Sequence, residues 1–219
     1  MRQPESSTMV TLLDKLTAEM GLFLTEKERN SFGIYARELT EWNKKTNLTA
    51  IRKPENIVIK HFVDSLMVLK YISLRGSVVD IGSGGGFPGI PLKIKIPSLN
   101  MTLIEASRKK ANFLKNIIRR LHLKNITVFN GRVEHYKETN IFDFVVARAF
   151  ADTVTLCRMG APLVRCGGYV IAMKGKDPQE EEDTTGQTET GIRLTERYRY
   201  ELPGGQGKRT LLVLQKCFT

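Results

Sequence analysis

The chain has 219 residues, 41% of them hydrophobic and 26% charged, which excludes a disordered or fibrous protein and is enough to bury a sizeable core. Its 34 basic and 23 acidic residues give a net charge of +11, which favours an anionic partner, most simply nucleic acid, although a lysine-rich soluble surface would have the same balance. Three scattered cysteines without a C-x-x-C pair argue against a zinc site or a disulfide framework, and no apolar run approaches the roughly 18 residues of a membrane helix.

The N-terminal third of the chain predicts helices. Its first residues lack the apolar core of a signal peptide, so we expect a cytoplasmic protein. Apolar residues recur at helical spacing from residue 9 onward until Gly21, a typical helix end. Thr25 and Glu28 form a capping box that opens a second helix through Trp42. A third helix is predicted over residues 54–71, and Gly76 marks the junction with the next segment.

From Ser77 onward, strands alternate with helices, which predicts an α/β fold with a mostly parallel sheet. The last two strands are joined by a Pro-Gly-rich loop and should form an antiparallel hairpin at one edge. The acidic stretch from Asp177 to Gly191 is expected to begin as a short helix and end as a loop. The predicted strands are 77–81, 101–105, 126–130, 142–147, 168–173, 192–200 and 209–216, and the helices are 88–95, 108–122 and 152–164.

The stretch from Val78 to Gly89 predicts a buried strand, a glycine-rich turn and the start of a helix, which is how a doubly wound sheet builds a ligand site. Its glycines spell G-x-G-x-x-G with Glu105 about 20 residues on, as a dinucleotide site would. We favour S-adenosylmethionine, because a carboxylate at Asp80 facing the crevice would repel a pyrophosphate but attract a cationic sulfonium and its ammonium group. A turn without a ligand is the remaining alternative.

The segment from Ser107 to Lys124 carries seven basic residues and no acid, with its apolar positions on the face expected to meet the sheet. These side chains either neutralise phosphates or belong to an ordinary exposed helix, and Arg108 is close enough to Glu105 to serve the cofactor end instead. His61 lies on a helix with Asp64 three residues later. Taken alone, a helical histidine is more often structural than functional.

Six motifs in order make the sequence resemble one known family, the ribosomal RNA small-subunit methyltransferase G family, also called glucose-inhibited division protein B. The resemblance covers about residues 9 to 216. It implies a Rossmann-like class I methyltransferase that uses S-adenosylmethionine to methylate N7 of one guanine in the 530 loop of bacterial 16S rRNA. The motifs are Asn47-Leu48-Thr49-Ala50, His61-Phe62-Val63-Asp64-Ser65-Leu66, the Asp80–Ile90 turn, Arg132-Val133-Glu134, Arg148-Ala149-Phe150 and Met173-Lys174-Gly175.

The resemblance also implies an organisation and a partner. We expect residues 1–76 to be a helical segment of the same compact unit as the methyltransferase domain at 77–219. The expected partner is 16S rRNA or the small ribosomal subunit, bound by a monomer.

The motif and the resemblance together predict the site residues. For catalysis these are Asn47, His61, Arg148 and Lys174; for the cofactor Asp80, Gly82, Gly84, Gly86, Phe87, Glu105, Val133, Glu134 and Arg148; and for RNA Asn47, His61, Arg132, Arg148 and Lys174, with Lys109, Lys110, Arg119 and Arg120 of the basic helix.

Guanine N7 carries a lone pair and no proton, so the reaction needs placement rather than a general base. The fourth strand accordingly leads into Ala147-Arg148-Ala149-Phe150 and not into the Asn-Pro-Pro-Tyr motif of amine methyltransferases. Phe150 either stacks on the base or belongs to the core. Three other functions stay open: a methyltransferase for a small molecule or protein, a non-catalytic RNA-binding protein, and a nicotinamide dehydrogenase, for which we find no hydride-handling site.

Overall fold

The computed structural model describes residues 4–175 and 190–217, and its centre is a seven-stranded sheet. The strand order is β3-β2-β1-β4-β5-β7-β6, with every pair parallel except those made by β7. The predicted fold class is therefore confirmed, including the C-terminal antiparallel hairpin. The strands are β1 Ser77–Ile81, β2 Asn100–Glu105, β3 Ile126–Asn130, β4 Phe142–Arg148, β5 Val164–Lys174, β6 Ile192–Glu201 and β7 Lys208–Lys216.

The order reverses between β1 and β4, so the carboxyl ends of these two strands open a crevice where ligands bind in sheets of this kind. β5 begins at Val164, four residues before the predicted start, because the chain pairs with β4 at Phe142 before the Gly167-Gly168 irregularity. The helices are α1 Pro4–Glu19, α2 Glu26–Thr46, α3 Pro54–Ile57, α4 Asp64–Leu66, α5 Val68–Tyr71, α6 Gly89–Lys95, α7 Arg108–Arg120 and α8 Thr153–Gly160.

The capping box predicted for α2 is present. The Thr25 N–H donates to Glu28 Oε2 at 2.7 Å, and the Glu28 N–H donates to Thr25 Oγ1 at 3.3 Å. Gly21 follows α1 with a left-handed φ of 77°, as expected of a helix end. α2 continues to Thr46, one turn past the predicted end, and closes on Asn47 in the left-handed conformation.

The third N-terminal helix is not the continuous α-helix that the periodicity predicts. Between α3 and α4, residues Val58–Val63 form a π-helical turn, in which the Asp64 N–H bonds to the carbonyl of Ile59 five residues back. Apolar periodicity does not register this wider turn, because it predicts that Val58, Phe62 and Val63 are buried but not which carbonyl each N–H bonds.

A single cluster of buried side chains contains residues from both the N-terminal helices and the sheet. Tyr35 of α2 is at its centre, fully buried, and its ring stacks on Phe87 with centroids 5.4 Å apart. Its hydroxyl donates to the carbonyl of Gly85 at 2.5 Å. The helices thus pack directly on the glycine turn, while the division at residue 76 stays a prediction.

Two negative findings hold for the part of the chain that the structure describes. No helix there is long and apolar enough to cross a membrane. Residues 4–175 and 190–217 also contain no group of three His, Cys, Asp or Glu side chains arranged to hold a metal ion. The predicted short helix and loop between Asp177 and Gly191 fall almost wholly on residues 176–189, outside the described ranges.

Candidate active site

The glycine turn at the end of β1 is held tightly against its surroundings. Gly82, Gly84 and Gly86 have φ values of 70°, 57° and 94°, a region that L side chains rarely adopt. The N–H groups of Gly82 and Ser83 donate to the Ile104 carbonyl at 2.9 and 3.1 Å. A Cβ at Gly86 would lie 2.6 Å from the Tyr35 hydroxyl oxygen. The turn therefore needs glycine both for its backbone angles and for its close packing.

Asp80 is oriented differently from our expectation. Its side chain is completely buried and lines neither of the two cavities described below, so the expectation that it faces the crevice is wrong. Oδ2 accepts the Gly89 N–H at 3.0 Å at the start of α6, and buried Oδ1 has no hydrogen-bond partner. Burial raises the pKa of this carboxyl to about 7. In this geometry Asp80 braces the turn from beneath.

Glu105, at the end of β2, holds the turn from the other side. Its Oε2 accepts the Gly84 N–H at 2.8 Å, and its Oε1 accepts the Ser107 N–H at 2.7 Å. The carboxylate is 7% exposed and borders an open cavity. Each oxygen has a second lone pair, so this group can accept hydroxyl donors from a ligand in that cavity.

Two cavities of about 290 Å³ each lie at the carboxyl ends of the strands, and Gly82 borders both. The first, which we call the β2 cavity, is lined by four of the nine predicted cofactor residues, namely Gly82, Glu105, Val133 and Glu134. Arg132, predicted for RNA, also lines the β2 cavity. The second, which we call the Arg148 cavity, is lined by Lys60, His61, Asp64, Phe87, Arg148, Lys174 and Arg209, among others.

Phe150 lines the β2 cavity beside Gly82, the glycine that borders both cavities. Its ring covers Gly82 so closely that a Cβ there would collide with it, and it is 36% exposed. The alternative of a buried core role is therefore wrong, whereas base stacking stays a prediction. The preceding residue, Ala149, has a left-handed φ of 49°, a conformation that costs energy in a non-glycine residue.

Arg148, the last residue of β4, is fixed by several partners at once. Nη1 donates to the Lys60 carbonyl at 2.6 Å and to Asp64 Oδ2 at 3.3 Å, and Nη2 donates to His61 Nδ1 at 2.9 Å. The guanidinium carbon is 5.0 Å from the centroid of the Phe87 ring, within cation–π range. The π-helical turn supplies two of these acceptors, the Lys60 carbonyl and His61.

His61 is held as a neutral ring. It is 6% exposed and stacks on Phe87 at 4.3 Å and 12°. A guanidinium is only a donor, so Nδ1 accepts from Arg148 and the ring proton is on Nε2, 2.8 Å from Thr49 Oγ1. Burial, and then the charge of Arg148, lower the pKa of His61 to about 3. A ring engaged on both nitrogens orients its neighbours and is unsuited to base catalysis.

The other predicted residues divide between the site and the surface. Lys174 ends β5 in the wall of the Arg148 cavity, and its ammonium donates to the Ala151 carbonyl. Asn47 is exposed at the end of α2 and borders neither cavity. Gly84 and Gly86 shape the turn without lining either cavity.

The basic helix α7 also lies apart from both cavities. Arg120 pairs with Glu38 of α2 at 3.1 Å, and Arg119 donates to the side chain of Asn116. Lys109 is exposed and Lys110 half-buried. These side chains form a separate surface, so any contact with a substrate there would be outside the Arg148 cavity.

Sequence reasoning missed four polar residues, namely Lys60, Asp64 and Arg209 in the wall of the Arg148 cavity and Tyr200 behind it. Arg209 and Tyr200 come from the C-terminal hairpin and meet Asp64, which follows His61 by three residues. The spacing of His61 and Asp64 on one helix was the only available signal, and it did not reveal their partners. With Lys60 and Lys174, the two arginines give this cavity an excess of positive charge, which suits an anionic substrate.

Comparison with solved structures identifies the class of fold. A SAM-dependent methyltransferase from Aquifex aeolicus has 17% identity and a TM-score of 0.55, covering 80% of this chain and 97% of that one. M. jannaschii TYW2, solved in complex with AdoMet, has 16% identity and a TM-score of 0.56, covering 70% and 74%. The fold is therefore that of a Rossmann-like methyltransferase.

Comparison of sequences identifies the family within that class. The family model GidB, described as rRNA small subunit methyltransferase G, matches residues 28–207. The ribosomal RNA small subunit methyltransferase G of Geotalea uraniireducens is 40% identical over 215 residues, covering 96% of this chain and 98% of that protein. Its namesake from Syntrophus aciditrophicus is 42% identical over 216 residues, covering 95% and 90%. The chain belongs to the rRNA small subunit methyltransferase G family.

Proposed function

We propose that this protein transfers a methyl group from S-adenosylmethionine to N7 of a single guanine in the 530 loop of 16S rRNA. The observation that carries the proposal is the pair of cavities that share Gly82. One is bordered by the Glu105 carboxylate and the other by a cluster of basic side chains. This arrangement provides a cofactor end and an anion-binding end within one crevice. Family membership supports ribosomal RNA as the source of the anionic substrate.

The residues of the β2 cavity fit the proposed cofactor. The Glu105 carboxylate would accept hydrogen bonds from the ribose hydroxyls. Val133 and Glu134 border the part of the cavity that would hold the adenine. Gly82 borders both cavities, and its lack of a Cβ leaves room for the Phe150 ring beside them. The unsatisfied Asp80 Oδ1 lies beneath the same turn, where it suits a buried water as a partner. When bound, S-adenosylmethionine supplies a methyl group on a sulfonium centre that is open to nucleophilic attack.

The Arg148 cavity would then position the base. The N7 lone pair attacks without losing a proton, so the protein needs to align it and to exclude competing orientations. Arg148 is the group best placed to donate to guanine or phosphate oxygens, because its guanidinium is already fixed by its protein partners. Neutral His61 holds that guanidinium in place, and Lys174 adds a second donor at the cavity wall.

We further propose that the substrate is presented as 16S rRNA or the small ribosomal subunit, and that a monomer acts on it in the cytoplasm. The exposed residues Asn47, Lys109 and Arg119 and the half-buried Lys110 would contact RNA beyond the target base. Arg120 is less suited, because it is engaged by Glu38. Phosphate contacts of this kind predict that binding weakens steeply as salt rises.

The test is methyl transfer from labelled S-adenosylmethionine to small ribosomal subunits that lack their native methylation, followed by mapping of the modified nucleoside. We expect N7-methylguanosine at one position of the 530 loop. Label at another nucleoside would contradict the assigned base. Cofactor binding without transfer to naked 16S rRNA, to assembly intermediates or to finished subunits would contradict the substrate and favour a small-molecule or protein acceptor.

A further inference from the structure

A buried carboxylate beside the Arg148 cavity joins three distant parts of the chain. Asp64 is 3% exposed and follows the π-helical turn directly. Oδ1 accepts the Tyr200 hydroxyl at 3.1 Å, and Oδ2 lies 3.3 Å from Arg148 Nη1 and 3.4 Å from Arg209 Nε. These donors come from β6, β4 and β7. One negative charge therefore faces two guanidinium groups and a phenol.

The C-terminal hairpin of β6 and β7 supplies two of these donors, Tyr200 and Arg209. Tyr200 and Arg209 are directly opposite each other in the β6–β7 register, so their side chains extend from the same face of the hairpin. That face meets the helix on which Asp64 lies. The position of Asp64 is thus fixed by the hairpin, and Asp64 in turn meets the guanidinium of Arg148.

Stability alone is a poor explanation for this cluster. Taking a carboxylate and two arginines out of water is costly, and buried ion pairs are often no more stabilising than apolar groups of the same volume. Both arginines, however, border the Arg148 cavity. The charge of Asp64 compensates theirs and limits the directions in which the planar guanidinium groups can turn.

We propose that Asp64 is a positioning residue for methyl transfer, which sets the plane of the Arg148 guanidinium and ties it to the C-terminal hairpin through Tyr200 and Arg209. The inference rests on the proposed function for its kinetic consequence. Its structural part, the restraint of Arg148 by Asp64, applies to the free protein and is measurable without any substrate.

Asp64→Asn is the variant that tests this role, because asparagine has the same shape and can still accept from Tyr200. We expect kcat/KM for the RNA substrate to fall on the order of 30-fold, as when one partner of a buried charged pair is removed, with S-adenosylmethionine affinity within about twofold of wild type. A loss of S-adenosylmethionine affinity as large as the loss of kcat/KM would contradict a role specific to the Arg148 cavity.

Asp143→Asn is the matched control. Asp143 also pairs with an arginine, Arg165, at 2.7 Å and accepts the Ser77 N–H at 2.7 Å, but it does so at the amino ends of β1 and β4. The Asp143→Asn variant should keep the wild-type kcat/KM per folded molecule. Equal kinetic losses in Asp64→Asn and Asp143→Asn would show a general effect on folding and would overturn the proposal.

Epistasis shows whether Asp64 acts through Arg148. In an Arg148→Lys background, Asp64→Asn should reduce kcat/KM by less than about threefold, since the group it positions has been replaced. A further loss of the full 30-fold would mean that Asp64 acts independently of Arg148.

The restraint itself is visible in ¹⁵N NMR spectra of the free protein. We expect the Arg148 guanidinium signals to show restricted rotation in wild type and in Asp143→Asn, and measurably faster rotation in Asp64→Asn, where only the bonds to the Lys60 carbonyl and His61 remain. Unchanged Arg148 signals in Asp64→Asn would overturn the proposal even if the enzyme acts on another substrate. If Asp64→Asn does not fold, Tyr200→Phe combined with Arg209→Gln removes the hairpin anchors of Asp64 and should loosen the same signals; unchanged signals there would also overturn it.

Discussion

The two cavities on either side of Gly82 are built in different ways. The β2 cavity is formed by strand ends and the turns directly after them, with Glu105 at the end of β2 and Val133 and Glu134 shortly after β3. The Arg148 cavity is assembled from the π-helical turn, the ends of β4 and β5, and the C-terminal hairpin. The comparison teaches that the proposed cofactor site is built from short motifs at successive strand ends, while the proposed substrate site beside it depends on side-chain contacts between the N-terminal helices and the C-terminal hairpin.

The sharpest test of this separation is Arg148→Ala. We expect methyl transfer to fall about 100-fold or more, because the target base loses its fixed donor, while the fold survives. S-Adenosylmethionine affinity should change little, since Arg148 lies outside the β2 cavity. Steady-state kinetics and calorimetric binding of S-adenosylmethionine measure the two effects. Arg165→Ala, at the opposite end of the sheet, is the control. Wild-type turnover by folded Arg148→Ala would contradict the proposed role of Arg148 as a donor to the substrate.

His61 gives the next largest effect, on stability rather than rate. Its pKa is about 3 in the folded protein and about 6.5 in the unfolded chain, so the unfolded state binds a proton first as pH falls. His61 therefore favours the folded state above pH 6.5, and this contribution is lost progressively toward pH 3. Between pH 6.5 and 5 the loss is about 2 kcal/mol.

The measurement is urea unfolding at both pH values for wild type and His61→Gln, and the quantity of interest is the difference between them. The comparison of variants is necessary because the raised pKa of Asp80 has the opposite sign: its contribution is complete below pH 3.8 and is lost as pH rises to about 7. Equal pH dependence in both proteins would show that His61 is not held neutral.

Glu105→Gln tests the β2 cavity in the same way. An amide places an NH₂ group where the carboxylate now accepts the Gly84 or Ser107 N–H, and it weakens acceptance from ribose hydroxyls. We expect S-adenosylmethionine affinity to fall about 10-fold, with KM for RNA unchanged. Glu41→Gln, which alters an exposed ion pair with Lys44, is the control. A change in KM for RNA alone would mean that the two cavities do not divide the work as proposed.

The smallest expected effect comes from two lysines of α7, which test whether the proposed RNA-binding surface extends beyond both cavities. Lys109→Ala with Lys110→Ala on α7 should reduce the slope of log affinity against log salt by about one for each lysine. Lys15→Ala with Lys27→Ala, on the exposed sides of α1 and α2, should leave that slope unchanged. Equal slopes in all three proteins would make α7 an ordinary exposed helix.

The fold and the β2 cavity were predictable because their signals are local. Strand–helix alternation, the capping box at Thr25 and the glycine turn each span a few residues whose preferences agree. Even there the orientation of Asp80 was missed. The sequence does not reveal that the start of α6 returns over β1 and takes this carboxylate as a partner for the Gly89 N–H.

The Arg148 cavity was predictable only in part, through motifs that the resemblance supplied. Tyr200 and Arg209 reach Asp64 across 136 and 145 residues of sequence. Their meeting depends on the hairpin register and on the π-helical turn, and neither leaves a periodic signal in the chain. Such contacts are decided by tertiary packing, which a single sequence does not specify residue by residue.

The bond from Tyr35 to the Gly85 carbonyl also has a consequence for how the chain is made. Synthesis runs from the N-terminus, and Tyr35 precedes Gly85 by 50 residues. The helix that packs on the glycine turn is therefore complete in sequence before the turn is added. A chain that lacked α2 would have to form the glycine turn without the Tyr35 hydrogen bond to the Gly85 carbonyl.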